Sequence, residues 1–192
     1  MTEWLLDIGN RYLNKERVIF VCRGMLYILF VPVLLLAFGI FGARYGDELS
    51  IIGQISSLLF DLCLAIVCLS IMTLVYADGD KIPTIGYFVV ITVIKGVYQF
   101  FITSIGGKGE LYTLIFVLCL ALHITVGIQL LKTKYTIFGK ALLYYVGGVV
   151  IAAALRTSNA DFLSTIAIFL TGGMLAYTFF KYLPLYYEQK KV

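Results

Sequence analysis

Six long apolar segments, separated by short polar breaks, account for most of the chain. Each is close to the roughly 20 residues that an α-helix needs to cross the hydrocarbon core of a bilayer. The breaks are rich in Gly, Asp and Lys, which is ordinary turn chemistry between helices. The pattern therefore predicts an all-α polytopic membrane protein with a single domain over residues 1–192. The predicted spans cover residues 18–43, 49–77, 83–105, 111–131, 138–155 and 162–182.

The two ends of the chain are predicted to lie outside the hydrocarbon core. Apolar residues recur at helical spacing before the first span, with charged side chains between them, at Trp4, Leu5, Ile8 and Tyr12. A helix with this pattern lies along a membrane surface, with Trp and Tyr at the level of the headgroups. We therefore expect a short amphipathic interfacial helix over residues 1–17. At the other end, Pro184 is expected to stop the last helix, because proline cannot donate a backbone hydrogen bond.

Composition supports the same class. Of the 192 residues, 61% are hydrophobic and 14% are charged, and the mean hydropathy is +0.96. A soluble domain of this size has a polar surface to cover, which this composition does not supply. The chain is therefore expected to be embedded in the lipid bilayer. Its net charge of +4 includes no Lys/Arg cluster typical of nucleic-acid binding, so no nucleic-acid partner is expected.

The Lys and Arg residues of the short connections predict the orientation. Connections one, three and five hold one each: Arg44, Lys108 and Arg156. The terminal segments and connections two and four hold the larger share: Arg11, Lys15, Arg17, Lys81, Lys132, Lys134, Lys190 and Lys191. With six spans, these two sets lie on opposite sides of the membrane. The bias predicts a multi-pass protein of the cell membrane, inner or plasma, with both termini in the cytoplasm.

Three ionisable side chains lie near the middle of predicted spans, namely Asp61, Lys95 and His123. A charge at that depth is costly and is tolerated when it is paired, hydrated or functional. Each belongs to a polar stripe on one helix face, because polar residues recur there at steps of three, four or seven. The connection between the second and third spans is short, so these spans are expected to be antiparallel neighbours with Asp61 and Lys95 at similar depth. We call the predicted set the polar seam; it comprises Gln54, Ser57, Asp61, Thr92, Lys95, Gln99 and His123.

Two interpretations of the polar seam stay open on the sequence. One is a structural ion pair with interhelical hydrogen bonds, worth about 0.6–2 kcal/mol per bond in membranes. The other is a site for an ion, a proton or a small polar solute, since midspan ionisable residues often mark transport pathways. The structural interpretation is slightly favoured, because nothing in the sequence shows that either Asp61 or Lys95 is free of the other. His123 is expected to be a hydrogen-bonded contact between helices. The deeper tyrosines Tyr98, Tyr144 and Tyr145 could line the seam, although interior packing is favoured for them.

Small residues four positions apart mark three of the spans. Such pairs permit close approach of helix backbones, either within the chain or between copies of it. The predicted packing positions are Gly39, Ala43, Gly148, Ala152, Gly172 and Ala176.

The motifs of common enzyme classes are missing from the sequence. It has no GxSxG elbow, no Walker loop, no HExxH and no dinucleotide fingerprint. The single His and the four Cys do not have the spacing of metal ligands. We therefore do not expect an enzyme, catalytic residues, a metal site or a bound cofactor.

Two functional classes follow. In the first, the protein is a small membrane subunit that assembles as a homo-oligomer or with a membrane or cytosolic partner, and that senses or transmits a membrane signal or forms a pore. In the second, it is a transporter or channel for a small solute or ion, with a midplane site at Asp61, Lys95, Gln99 and His123. The first is slightly preferred at this point, because it requires fewer specific residues. Its docking surface would comprise residues 1–17, 77–81, 132–135 and 186–192.

Overall fold

The computed structural model describes residues 1–41, 46–104, 110–158 and 160–189, without the side chains of residues 32–41, 46–50, 102–104, 110, 161 and 162. Within these ranges the chain forms α-helices and no strand. The helices are Thr2–Tyr12 (α1), Lys15–Phe41 (α2), Gly46–Ala77 (α3), Pro83–Ser104 (α4), Glu110–Leu131 (α5), Thr136–Thr157 (α6) and Asp161–Gln189 (α7).

The predicted class is confirmed: this is a polytopic α-helical membrane protein. Over the described residues, five helices are long and apolar enough to cross a membrane. They contain the segments Ile51–Ala77, Pro83–Phe101, Leu111–Leu131, Thr136–Thr157 and Leu163–Gln189. The first predicted span, residues 18–43, coincides with α2 up to Phe41 and then extends into residues outside the description.

Helices α2 to α7 are arranged as a ring. Each packs against its neighbours in sequence, and α7 also packs against α2, which closes the ring. Consecutive helices in such a bundle are antiparallel, because the connections between them are short. The polar faces of several helices can therefore meet inside the ring, while the large apolar side chains on its outside face lipid.

Helix α1 packs on the outside of this ring, against α3 and α4. Its buried side is formed by Leu5 and Gly9, and a Cβ at Gly9 would lie only 2.4 Å from the Thr73 methyl carbon. The opposite side carries Trp4, which is 63% exposed. The amphipathic pattern therefore describes a helix that docks on the protein with one face and leaves its charged face outside.

The predicted end of the interfacial helix at residue 17 is wrong. Helix α1 ends at Tyr12, Leu13 is extended, and α2 begins at Lys15. The break arises because the Asn14 side chain caps α2: its Oδ1 accepts a hydrogen bond from the Arg17 backbone N–H at 2.9 Å. Residues 15–17 thus belong to the helix of the first predicted span.

The predicted end of the last helix is also wrong, because α7 continues through Pro184 to Gln189. Tertiary contacts hold the turn beyond the proline. Leu183 is fully buried, and the Tyr186 hydroxyl donates a hydrogen bond to the Lys134 carbonyl oxygen at 3.0 Å. The Tyr186 ring also lies 4.9 Å, between centroids, from that of Tyr135. These contacts offset the backbone hydrogen bond that Pro184 cannot make.

One end of the bundle gathers the termini and the even-numbered connections. Lys15 near the start of α2 pairs with Glu188 near the end of α7. Asp78, which follows α3, pairs with Lys134 at 2.9 Å and accepts a hydrogen bond from the Tyr135 hydroxyl. Burial, and then the hydrogen bond to Asp78 and its negative charge, raise the pKa of the Tyr135 phenol, which therefore stays a hydrogen-bond donor. We call this region the charged end of the bundle; the last described turns of α2, α4 and α6 lie at the opposite end.

Small residues pack helices against one another within the chain. A Cβ at Gly148 of α6 would lie 2.2 Å from the Thr171 hydroxyl oxygen of α7, and Ala152, one turn on, is buried. A Cβ at Gly172 would lie 3.0 Å from a Leu29 methyl carbon of α2, and Ala176 is buried as well. The side chains at the predicted positions Gly39 and Ala43 lie outside the described residues.

Candidate functional site

The structure places Asp61 and Lys95 in contact inside the ring. Lys95 Nζ lies 2.8 Å from Asp61 Oδ1, and the side chains are 13% and 3% exposed. The two helices approach closely because α4 carries Gly96 at this level: a Cβ there would lie 3.0 Å from that of Asp61. A glycine beside the lysine therefore allows a short aspartate side chain on α3 to reach it.

Lys95 is the charge partner of Asp61 among the described residues. The second carboxylate oxygen, Oδ2, is buried and has no hydrogen-bond partner in that part of the chain. The negative charge of Asp61 is therefore stabilised by one ammonium group and little else. Anything that drew Lys95 away would leave a buried, uncompensated carboxylate, which is a high-energy arrangement in a membrane.

His123 lies next to this pair but is not bonded to it. Its Nδ1 lies 2.9 Å from the Cys119 carbonyl oxygen, so Nδ1 carries the proton and Nε2 is left as an acceptor. Nε2 is buried and has no partner among the described residues. The ring packs edge-on against Phe88, with centroids 4.2 Å apart. A cavity of about 20 Å³ lies between His123 and Lys95, enough for one water molecule.

A much larger cavity lies on the other side of Lys95, inside the ring. It has a volume of about 610 Å³, and we call it the main cavity. All six ring helices contribute to its wall, from Leu29 on α2 to Thr165 on α7. Its outer part is lined by Arg156, which is exposed and lies in the last turn of α6. The main cavity thus runs from Lys95 towards the end of the bundle opposite the charged end.

A smaller cavity of about 150 Å³, the side cavity, joins Asp61 to the same region. Ser57, Lys95 and Tyr145 line both this space and the main cavity. Lys95 and Tyr145 also line the water-sized cavity at His123. The ammonium group and the phenol are therefore at the junction of all three spaces.

Six of the seven residues of the polar seam line these cavities. Gln54, Ser57, Lys95 and Gln99 line the main cavity, Asp61 lines the side cavity and His123 lines the water-sized one. Thr92 lines none of these three, since it is fully buried with its hydroxyl 3.9 Å from the Cys119 sulfur. It lies on the same face of α4 as Lys95 but about one turn deeper, where the helices have already closed together.

Four polar residues of the main cavity lie outside the polar seam predicted from the sequence. Tyr145 points inwards although its neighbour Tyr144 is 61% exposed on the outside of the bundle. The others are Tyr112, Arg156 and Thr165. Among these four, Arg156 stands out in the sequence, because it is the one cation of connection five. Helix α6, which carries Tyr145, has apolar residues on all sides, so the sequence does not tell which of its faces turns inwards.

The described residues contain no group of three or more His, Cys, Asp or Glu side chains placed to hold a metal ion. The main chemical features of the site are thus an ion pair, hydroxyl and amide groups, and aromatic walls. This arrangement can bind an organic solute by hydrogen bonds and charge.

Comparison of the chain with protein-family models, curated proteins and solved structures gives no match.

Proposed function

We propose that the protein is a small membrane transporter and that its solute binds in the main cavity, beside Lys95. The observation that carries this proposal is a cavity of about 610 Å³ inside the ring, with a midspan lysine at its inner end. Cavities of roughly 300–1,000 Å³ are typical of small-molecule sites. Midspan ionisable residues commonly mark substrate pathways in membrane proteins.

The closed inner end of the cavity favours a carrier over an open channel. Beyond the ion pair the core is filled by side chains with almost no exposed surface, including Leu64, Phe88 and Cys119. A solute at Lys95 would therefore have access from one side at a time, as alternating access requires. The distribution of Lys and Arg supports a cell-membrane protein with the charged end in the cytoplasm and the main cavity facing the other side.

The alternative, a subunit that needs a partner or further copies of itself, is less well supported than the transporter. Several charged side chains of its proposed docking surface form ion pairs within the chain, as Lys15 does with Glu188 and Lys134 does with Asp78. The small-residue pairs at Gly148 and Gly172 likewise pack internally. The mass of the purified protein in detergent gives its oligomeric state. A monomer that transports solute would contradict this alternative.

Uptake into proteoliposomes tests the transporter. The solutes are radiolabelled benzoate, L-phenylalanine, glycerol and phosphate, and the variant is the double substitution Asp61→Asn with Lys95→Gln. This variant loses both charges together and so avoids a lone buried charge. We expect the wild-type protein to take up at least one solute faster than protein-free liposomes, and the double variant to fall to the protein-free rate.

The matched control is Lys140→Gln, which removes an exposed lysine from α6 and is expected to keep the wild-type rate. Wild-type protein no faster than protein-free liposomes for all four solutes would contradict the proposal. A double variant as fast as the wild type would contradict the site.

A further inference from the structure

The charged side chains that line the main cavity are both basic. They are Lys95 at its inner end and Arg156 at its outer end, and no described residue of its lining carries a carboxylate. Asp61 lines the side cavity only. Both charged side chains of the described lining are therefore cations, which attract anions.

The rest of the lining suits an apolar or aromatic body. Tyr112, Phe116 and Phe169 contribute aromatic surface, while Gln54 and Gln99 contribute amides. Pockets of this kind hold a ligand by apolar contact and orient it with a few polar groups. The matching chemistry is a small monocarboxylate whose carboxylate reaches Lys95 and whose body lies against the aromatic walls.

Building on the proposed function, we propose that the solute is an aromatic or aliphatic monocarboxylate that binds together with one proton, the carboxylate on Lys95 and the proton on Asp61. The cause is the geometry of the ion pair. The Lys95 ammonium lines the main cavity, so a solute carboxylate can reach it, whereas Asp61 has no other charge partner among the described residues. A solute that takes over Lys95 therefore leaves the Asp61 carboxylate buried and unpaired, and protonation removes that charge.

The exchange is balanced in charge and atoms. Before binding, the site holds an Asp61 carboxylate and a Lys95 ammonium. Afterwards it holds an Asp61 carboxylic acid and a Lys95 ammonium paired with the solute carboxylate. One O–H bond has formed on Asp61, and one bond to hydrogen has broken in hydronium or a buffer acid, whose conjugate base keeps the electron pair. One negative charge has arrived with the solute. The net charge of the site does not change, so the solute and proton cross as a neutral pair.

Asp61 is the best acceptor for this proton among the titratable groups near it. Among the described residues, the titratable groups that line the cavities around the pair come from α4, α5 and α6, and are Lys95, Tyr112, Cys119, His123, Tyr145 and Arg156. From α2 and α7 the side cavity is lined by residues without titratable groups, Ile28, Leu29 and Ile168. Phenols, thiols and the cations already hold their protons near neutrality. A proton on the bare Nε2 of His123 would add a positive charge beside Lys95, whereas a proton on Asp61 removes an unpaired negative one.

Calorimetry on the purified full-length protein tests the proton linkage, with benzoate as the anion and benzamide as its neutral analogue. Titrations in two buffers of different ionisation enthalpy give the number of protons taken up. We expect about one proton per benzoate and a Kd that rises about tenfold per unit of pH, as linkage to one proton requires. Benzamide is expected to bind much more weakly, because it cannot pair with Lys95.

Benzoate binding without proton uptake, or benzamide binding as tight as benzoate, would overturn this inference and leave the proposed solute cavity in place. If neither compound binds but the uptake assay shows transport of another solute, the inference alone fails. If neither binds and no solute is taken up, the proposed function fails with it.

Infrared difference spectra locate the proton. On benzoate binding we expect the carbonyl band of a protonated carboxylic acid, unshifted when the benzoate carboxyl carbon is carbon-13, since the acid is on the protein. The band is expected to vanish in a folded Asp61→Asn variant that still binds benzoate, and to persist in Asp78→Asn, whose carboxylate lies at the charged end. A band that shifts with the label, a band that persists in Asp61→Asn, or loss of benzoate binding in that folded variant would overturn the assignment.

Discussion

Replacing Lys95 alone by glutamine is expected to destabilise the protein by about 3–5 kcal/mol, the usual cost of leaving one member of a buried ion pair without its partner. The reason is the poor bonding of Asp61, whose second oxygen already lacks a partner among the described residues. Removing the other member of the pair, by Asp61→Asn, leaves an ammonium group beside a cavity. The loss of stability is therefore expected to be smaller than for Lys95→Gln.

The double variant, Asp61→Asn with Lys95→Gln, is expected to be more stable than Lys95→Gln alone. The measurement is a double-mutant cycle on the unfolding free energy in detergent, which isolates the pairwise interaction. Lys140→Gln, on the exposed surface of α6, is the matched lysine control and should change stability little. If the effects of the single variants simply add in the double variant, the two charges are not coupled and the ion pair is not as described.

Gly139→Ala is expected to destabilise the protein by about 1–3 kcal/mol through overpacking. A Cβ at Gly139 would lie 2.6 Å from the Gly127 carbonyl oxygen and 3.0 Å from the Leu131 nitrogen. Both contacts are with backbone, which cannot move aside as a flexible side chain can. The α5–α6 pair would have to separate, and the cavity wall that these helices form would shift with it.

The same helix supplies the control for this second prediction. A Cβ at Gly147 would meet nothing within 4 Å, so Gly147→Ala is expected to be neutral or slightly stabilising. Thermal unfolding of both variants in the same detergent gives the comparison. Equal stability of Gly139→Ala and Gly147→Ala would show that α5 and α6 do not cross as closely as described.

The helical class and the contact between Asp61 and Lys95 could be anticipated because each depends on a local signal. Runs of apolar residues set the lengths of the helices. A polar residue every third or fourth position sets a face, and a short connection sets which helices are neighbours. Those signals suffice to bring Asp61 on α3 to Lys95 on α4.

Features that depend on depth or on side-chain contacts between distant helices could not be anticipated in the same way. The stripe on α4 gives Thr92 and Lys95 the same face, but the level at which the cavity closes depends on all the ring helices. Tyr145 and Tyr144 look equivalent in an apolar helix, and only contacts such as Gly148 with Thr171 decide which tyrosine turns inwards.

The two wrong helix ends have a related cause. The cap at Asn14 interrupts a pattern that otherwise looks continuous from residue 1 to residue 17. At the other end, Pro184 is a strong local stop signal, but the contacts of Tyr186 with Tyr135 and Lys134 outweigh it. In both places side-chain interactions shifted a helix end from where the local sequence predicted it.

The proposed transporter requires a water-accessible cavity that reaches Lys95 from the end of the bundle opposite the charged end. Its most direct test is thiol labelling in a background with all four native cysteines replaced, using an anionic, membrane-impermeant methanethiosulfonate. Ser57→Cys places a thiol in the wall of the main cavity, and Ser70→Cys places one on the same helix at a fully buried position. We predict that the thiol of Ser57→Cys is modified rapidly, and more slowly with benzoate present, while that of Ser70→Cys is hardly modified. Equally slow modification of both thiols would show that water does not reach this cavity.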